Sequence, residues 1–433
     1  MRWQNWGRTQ ECNPVERARP TSEADIQRLV TDAAGKGRHV KVVGAGHSFT
    51  DIACTDGVLV SLDGYNRVLS VDRAARTATV QAGIRIKKLN AELAKAGLAM
   101  SNLGDIAYQS VAGAISTATH GCGITFGNLA TFVKEMTIVK ADGSVLHCSP
   151  SLDDTTFKAA QVSIGALGVI STVTLQLEPA FNLEAQEEGA DLEETLSSLD
   201  DFIENNEHFE FFWFPYTPRI GMKRNNRTDK PPTKVKHWKD FRNEIIKTNL
   251  AFGLICRYGR ARPQKIRGLM KTIAPGKGRI RKVARSDRVF ASPRLVRFSE
   301  MEYAIPRASA REALARLQQT IDAADYNVNF PVEVRFVAGD DVLLSPAHGR
   351  ETCYIAVHMY RGMDYGPYFR QVEEIMKSYD GRPHWGKLHF RTAADLAPSY
   401  PRWNDFIDVR NKLDPDGVFR NDYLDRVLGA PGA

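Results

Sequence analysis

Hydrophobic and polar positions along the chain change period repeatedly, and each change marks an element. Ile26, Leu29, Val30 and Ala33 recur at helical spacing behind Pro20, with Thr21 or Ser22 placed to cap them, so the pattern predicts a helix ending near Gly35-Lys36-Gly37. The apolar run Val40-Lys41-Val42-Val43 then reads as a short buried strand. Residues 58–62, 68–71 and 77–83 are β-rich runs separated by turn residues, and 86–97 is an amphipathic helix closed by a glycine. Strands over Val133–Val139 and Val145–Cys148 and the alternating run 173–177 complete an N-terminal unit, with Pro179 at its boundary. Beyond it the pattern predicts an acidic helix over 191–204, an aromatic strand at 209–214, a Pro/Lys-rich stretch at 230–234, a helix at 311–323, strands at 332–336 and 354–358, and a helix at 368–379. The tail carries His384-Trp385-Gly386-Lys387, a helical pattern at 403–413, and Asp414-Pro415-Asp416-Gly417-Val418-Phe419, which ends in a helix stop and an aromatic.

Helices and strands mixed in this way make the class α+β. A length of 433 residues exceeds the roughly 250–300 at which a single core stops growing, so two domains are expected. Apolar content of 43% and charged content of 25% predict a folded protein rather than a disordered one. No apolar run approaches the roughly 18 residues of a membrane span, and the first residues lack the apolar core of a signal peptide, which predicts a cytoplasmic chain with no transmembrane segment. The cysteines Cys12, Cys54, Cys122, Cys148, Cys256 and Cys353 are widely spaced, with no Cys-x-x-Cys pair and no histidines at zinc spacing. Free buried thiols and no metal site follow.

The net charge of +7 is unevenly placed: residues 257–297 hold fourteen basic side chains against one acid, Asp287. Such a block meets an anionic lipid surface or nucleic acid, or simply forms a solvated face or loop. Few aromatics interleave it and no nucleic-acid motif accompanies it, which excludes nucleic acid as a partner and leaves a weak anionic-surface contact open.

The candidate chemistry begins with Gly44-Ala45-Gly46-His47-Ser48-Phe49, directly after the strand at 40–43. Glycines so close together permit positive φ and close backbone approach, and successive N–H groups can form an anion-binding nest suited to a phosphate. No third glycine and no downstream acidic residue complete the dinucleotide fingerprint, so NAD is disfavoured. The stretch from Ser110 to Gly123 is rich in Gly, Ala, Ser and Thr, a composition that packs flat against a planar ligand such as an isoalloxazine, or else makes a tightly packed small-residue helix. Glu333 and Arg335 lie two apart on a predicted strand and share one face, as a surface ion pair or as parts of one site.

These segments together resemble the FAD-linked oxidases of the vanillyl-alcohol oxidase superfamily, and among them the aldonolactone oxidoreductases. The resemblance runs nearly end to end, carried by residues 44–52, Ser101-Asn102-Leu103-Gly104, Ala118-Thr119-His120-Gly121, Leu167-Gly168-Val169-Ile170, Glu333-Val334-Arg335, His384-Trp385-Gly386-Lys387 and Leu413-Asp414-Pro415. It implies an FAD-binding domain of two α+β subdomains over 1–179, a substrate (cap) domain with a large antiparallel sheet over 180–383, and a C-terminal segment, 384–433, returning to the FAD domain.

By the same resemblance FAD is held by Gly44, Ala45, Gly46, His47, Ser48, Ser110, Gly113, Thr117, His120, Gly121, Gly123 and Ile170, with a covalent bond from His47 to the flavin. Glu333, Arg335 and Lys387 become catalytic, Asp105 and His358 line the substrate pocket, and Gly104 opens a path for O₂. For His358 a purely structural role is equally compatible with its apolar strand. The implied reaction is oxidation of L-gulono-, L-galactono- or D-arabinono-1,4-lactone at C2, by hydride transfer to flavin N5, with O₂ as acceptor. Alternatives are an alditol oxidase acting on an open-chain polyol, a lactone dehydrogenase with another acceptor, and a basic binding module that keeps FAD only structurally.

Overall fold

The computed structural model describes residues 2–234, 249–291 and 294–430. The chain opens with a small antiparallel hairpin, β1 (Trp3–Gln4) against β2 (Glu11–Cys12). β3 (Glu16–Ala18), β4 (Val40–Val43) and β5 (Val58–Ser61) then form a parallel sheet in the order β3-β5-β4. The helix Glu23–Gly35 between them starts at Ser22, whose hydroxyl accepts from Asp25 N at 3.1 Å while the Asp25 carboxylate accepts from Ser22 N at 3.0 Å. That reciprocal box satisfies two otherwise orphaned donors and directs Ile26, Val30 and Ala33 into the core.

The chain continues through β6 (Val68–Asp72), β7 (Thr77–Gln81), a short β8 (Leu98–Ala99), β9 (Val133–Val139), β10 (Val145–Cys148) and β11 (Val169–Gln176). All but β8 join one antiparallel sheet in the order β10-β9-β11-β7-β6, and β8 pairs with β12 (Glu178–Pro179). β11 starts earlier than its polar alternation suggests, because Val169, Ile170 and Ser171 are all buried and so show no alternation.

The second half is built on one eight-stranded antiparallel sheet: β13 (Asn182–Asp191), β14 (His208–Trp213), β15 (Arg219–Thr228), β16 (Arg279–Arg285), β17 (Phe298–Pro306), β18 (Val332–Val337), β19 (Thr352–Tyr360) and β20 (Arg382–Pro383), in the order β16-β13-β15-β14-β18-β19-β17-β20. Its apolar face, with Phe211, Trp213, Val334, Ile355 and Met301, packs on the helices Ala310–Ala323 and Gly366–Lys377. The acidic helix expected over 191–204 is two helices, Leu192–Ser197 and Leu199–Glu204, separated by Ser198, whose ψ of 25° lies outside helical range.

The basic segment is not a loop. It forms helices Phe252–Ala261 and Ile266–Ile273 and then β16, where Arg279 pairs with Glu188 of β13. A charged edge strand also discourages sheet-to-sheet association. The tail holds a helix that the hydrophobic pattern does not announce, Asp422–Leu428, capped by Asn421, whose side-chain oxygen accepts from Leu424 N at 3.0 Å. With Trp403–Leu413 it packs into the core of the first half, which contains Val30, Val60, Ile138, Phe406 and Val427. Among the described residues no helix is long and apolar enough to cross a membrane.

Close packing at one glycine can be tested directly. A Cβ on Gly83 would stand 2.1 Å from Leu62 O and 2.5 Å from Tyr65 O, both backbone atoms, whereas one on Gly268 meets nothing. Gly83→Ala is expected to lower the melting temperature by many degrees or to prevent folding, and Gly268→Ala, inside a helix, to stabilise by about 0.5–1 kcal/mol. Equal melting curves for the two variants would contradict the packing described.

Candidate active site

The loop after β4 forms one wall of a cleft. Gly44, Ala45, Gly46, His47 and Ser48 line it, together with Ser110, Gly113, Thr117, Gly165, Gly168 and Ile170. Gly46 has φ +69°, a left-handed conformation that glycine adopts without strain, and a Cβ on Gly44 would fall 2.3 Å from Ser110 Oγ. Gly44 therefore lets the loop lie against Ser110, the cap of the small-residue helix Val111–Ser116, and Gly46 lets it lie under Trp3, Asn5 and Trp6. The N-terminal strand segment straps this loop from outside: Trp6 N donates to Gly46 O at 2.7 Å and Asn5 Nδ2 to Ser48 O at 3.0 Å.

One buried polar atom at the cleft, His47 Nδ1, has no hydrogen-bond partner. Unsatisfied buried groups are rare and point to an absent ligand. Burial, reinforced by Arg85 and Lys387, pulls the His47 imidazole down to about 4, so the ring is neutral at ordinary pH. Lys41, read from the sequence only as part of the buried strand, also lines the cleft; its ammonium donates to Gly165 O at 3.2 Å and Phe419 O at 3.0 Å. Burial lowers it to about 7 against the pull of Asp414 and Asp425. A glycine loop, small residues and an orphaned imidazole nitrogen fit a dinucleotide flavin.

His120, Gly121 and Gly123 do not line this cleft. His120 Nε2 faces Glu302 at 3.2 Å and its ring stacks on Tyr354 at 3.7 Å; a Cβ on Gly121 would meet Asn102 Oδ1 at 2.3 Å, and Gly123 N donates to Phe336 O at 2.7 Å. His120 and Gly123 tie the two halves together, whereas Gly121 packs on Asn102 of its own half.

The other half of the site lies on the polar face of the large sheet, which is buried instead of solvated. Register sets the rows: Glu210 of β14 stands opposite Arg335 of β18, Arg335 opposite Tyr354 of β19, and His358 of β19 opposite Glu300 of β17. Arg335 Nε bonds Glu210 Oε2 at 2.7 Å, its Nη2 bonds Asp105 Oδ1 at 2.6 Å, and the same nitrogen pairs with Glu333. Arg294 reaches Asp105 at 2.6 Å, and Lys223 reaches Glu210 at 3.0 Å. The surface-pair alternative for Glu333 and Arg335 therefore fails: Arg335 is 7% exposed and sits in a network of three cations and three carboxylates.

A second group adjoins it. Lys387 pairs with Glu300 and lies 3.9 Å from Glu302, and its ammonium sits 5.4 Å from the centroid of the Phe49 ring, so the tail lysine is brought beside the glycine loop. Phe49 N donates to Gly386 O at 2.7 Å, fixing that approach. His358 places Nδ1 3.1 Å from Pro331 O and Nε2 3.5 Å from Glu300. Burial would lower Lys387, yet Glu300 and Glu302 outweigh it and hold the ammonium above its ordinary value; Lys387 and His358 in turn pull Glu300 down to about 2 against its burial. His120, Glu302 and His384, and separately Asp105, Glu210 and Glu333, bring ligand-type atoms together, but Lys387 and Arg335 already supply a cation to each. Gly104 lies against His120 O, 3.0 Å from where its Cβ would be, and Thr119 Cγ2 at 3.1 Å.

Sequence reasoning missed Glu210, Lys223, Arg294, Glu300 and Glu302. The signal for the glutamates on β17 was available: Phe298-Ser299-Glu300-Met301-Glu302-Tyr303 alternates acid with bulk, a strand with one apolar and one charged face. Arg294 was hidden within the basic count.

A family model described as D-arabinono-1,4-lactone oxidase matches residues 173–427, and one described as FAD binding domain matches 16–149. An L-gulono-1,4-lactone dehydrogenase of Mycobacterium tuberculosis is 46% identical over 99% of both chains. An L-gulonolactone oxidase of Mus musculus is 38% identical over 99% of this chain and 98% of the relative. In fold, a solvent-stable cholesterol oxidase superposes with a TM-score of 0.84 at 18% identity, covering 99% of this chain and 97% of that one.

Glu333 titrates in a range where the site's charge can be tested. Burial pushes its carboxyl up to about 7 from an ordinary 4.5, opposed by Arg335 and reinforced by Asp105 and Glu210. The folded protein thus keeps a proton that the unfolded chain loses, and stability from this group, full below about 4.5, is lost as pH rises through about 7. The melting temperature of Glu333→Gln minus that of wild type should increase from about pH 5 to about pH 8. A difference that stays flat with pH would contradict the buried position of Glu333.

Proposed function

The chain belongs to the D-arabinono-1,4-lactone oxidase family of FAD-dependent oxidoreductases, and from that membership we propose that it oxidises C2 of an aldono-1,4-lactone, of the L-gulono, L-galactono or D-arabinono type, in the cytoplasm. The carrying observation is the buried charged face of the large sheet, where Glu333 and Arg335 meet Asp105, and Lys387 adjoins the glycine loop. Bound FAD supplies the hydride acceptor, its N5. The keto-lactone tautomerises to ascorbate or an analogue.

The protein's part is positioning and charge. Arg335 and Lys387 stabilise the alkoxide that develops as hydride leaves carbon, and they do so inside a water-poor face where such charges act strongly. Glu333, whose carboxyl sits near 7, holds or removes the hydroxyl proton. Asp105 and His358 border the same face and orient the sugar ring. A neutral imidazole with an unpaired buried Nδ1 supports His47 as the covalent anchor of the flavin. The role of Gly104 in oxygen access is carried from the family resemblance, and a Cβ there would press on His120 O at 3.0 Å and Thr119 Cγ2 at 3.1 Å. O₂ is the acceptor in this reading. A lactone dehydrogenase using another acceptor is the second reading, favoured by the dehydrogenase of Mycobacterium tuberculosis. The basic segment, where Arg257 and Arg260 flank exposed Leu254 and Tyr258, suits a weak anionic-surface contact.

Anaerobic mixing with the three lactones, against xylitol and sorbitol, should bleach the flavin with a lactone first; bleaching by polyols alone would move the reading to an alditol oxidase. Arg335→Ala is expected to slow that reduction roughly 10²–10³-fold. On admission of air the reduced wild type should reoxidise faster than Gly104→Ala, and a wild type that stays reduced would establish the dehydrogenase reading. Acid-precipitated wild type should remain yellow and His47→Ala should not; free FAD released from denatured wild type would refute the covalent anchor.

A further inference from the structure

Asp105 divides its carboxylate between two guanidinium groups: Arg335 Nη2 donates to Oδ1 and Arg294 Nη2 to Oδ2, each at 2.6 Å. The two arginines differ in their surroundings. The side chain of Arg335 is 9% exposed and that of Lys223 18%, against 35% for Arg294, so Arg294 stands at the outer edge of the network with Asp105 between it and Arg335. The chain beside it is anchored, because Leu295 N donates to Asn249 Oδ1 at 2.9 Å. Just beyond Asn249, the Phe252 ring meets Phe330 edge-on at 4.8 Å, and Phe330 packs against the His358 ring at 5.9 Å. The basic segment therefore reaches the site twice, through Arg294 at Asp105 and through Phe252 beside Phe330 and His358.

Among the described residues Arg294 bonds through Nη2 alone, which leaves Nε and Nη1 for a further acceptor. Its charge is already met by Asp105, so what it still offers is hydrogen-bond donors, a match for neutral hydroxyl oxygens. In an aldono-1,4-lactone the ring closes through the oxygen on C4, and C4 is not bonded to C2. The exocyclic carbons therefore hang from the part of the ring away from the carbon that loses hydride. We propose that Arg294 binds these exocyclic hydroxyls and sets a preference for L-gulono-1,4-lactone, whose side chain bears hydroxyls on C5 and C6, over D-arabinono-1,4-lactone, which has the C5 hydroxyl alone. With C2 held by Glu333, Arg335 and Lys387, the longer side chain passes Asp105 and ends at the guanidinium. This inference rests on the reading of the site as one for C2 oxidation of a lactone.

The FAD-loaded full chain and its Arg294→Lys and Arg294→Gln variants are mixed anaerobically with each lactone over a range of concentrations, and flavin bleaching gives a half-saturating concentration and a limiting rate. Lysine keeps a cation for Asp105 without the planar spread of donors, and glutamine keeps a donor without the charge. In both variants the half-saturating concentration of the L-gulono lactone should rise about 10- to 100-fold and that of the D-arabinono lactone less than about threefold. The limiting rate of the lysine variant should change less than about threefold, because the lost bond is made equally before and during hydride transfer. A purely structural Arg294 would weaken both lactones alike, so an equal rise for the two, no rise for either, or a fall in limiting rate with half-saturation unmoved would each overturn the proposal. A wild type reduced by both lactones without preference would overturn this inference alone; one reduced by neither would overturn the lactone reading and this inference with it.

Discussion

Arg335 is a cation buried on a sheet face, and a buried guanidinium stripped of its partners costs several kcal/mol. Its partners come from three places: Glu333 from its own strand, Glu210 from the next, and Asp105 from a loop in the first half of the chain. The first two follow from strand register alone. The third does not, so the charge balance of the face closes only when the two halves are packed together. Arg294 and Lys223 complete the account by offsetting Asp105 and Glu210, which would otherwise be left with excess negative charge.

The same logic places the second group. Glu300 and Glu302, two apart on β17, point to one side, and both need cations. One strand away His358 serves Glu300, and the tail delivers Lys387 between the two carboxylates. Because Phe49 and Gly386 are hydrogen-bonded, this lysine cannot reach its acids without also approaching the glycine loop. Cofactor cleft and charged face are therefore positioned by one contact between the loop, the tail and the sheet, not by two independent folding events.

Much of this was legible in advance where a local rule governs. The strand Val40–Val43, the glycine loop, the helix Ile86–Lys95 and the pairing of Glu333 with Arg335 on one face all follow from period, capping and turn chemistry. What stayed hidden was decided at long range. Arg294 looks like one more charge in a basic run until the fold brings it to Asp105, 189 positions away in sequence. Glu210 lies inside an aromatic strand, and its alternation was masked by the bulk on both sides. Asp422–Leu428 is too short for periodicity to declare, and its docking on the first core, not propensity, makes it a helix.

A face whose charges satisfy one another raises the question of what remains for a substrate. The ion pairs of Arg335 occupy Nε and Nη2, so Nη1 stands outside them and can donate to a further oxygen. Lys387 offers three donors and is drawn chiefly to Glu300. Glu333 is the carboxyl of this network that burial holds nearest to neutrality, since Asp105 and Glu210 are pulled down by their cations while it is pushed up. A proton acceptor and two hydrogen-bond donors thus converge without any side chain being moved. Preorganisation of that kind lets a hydroxyl-bearing ring be bound and polarised at little reorganisation cost, and it makes the cluster intolerant of losing any one member: each deletion would strand an unpaired charge in a region that water cannot relieve.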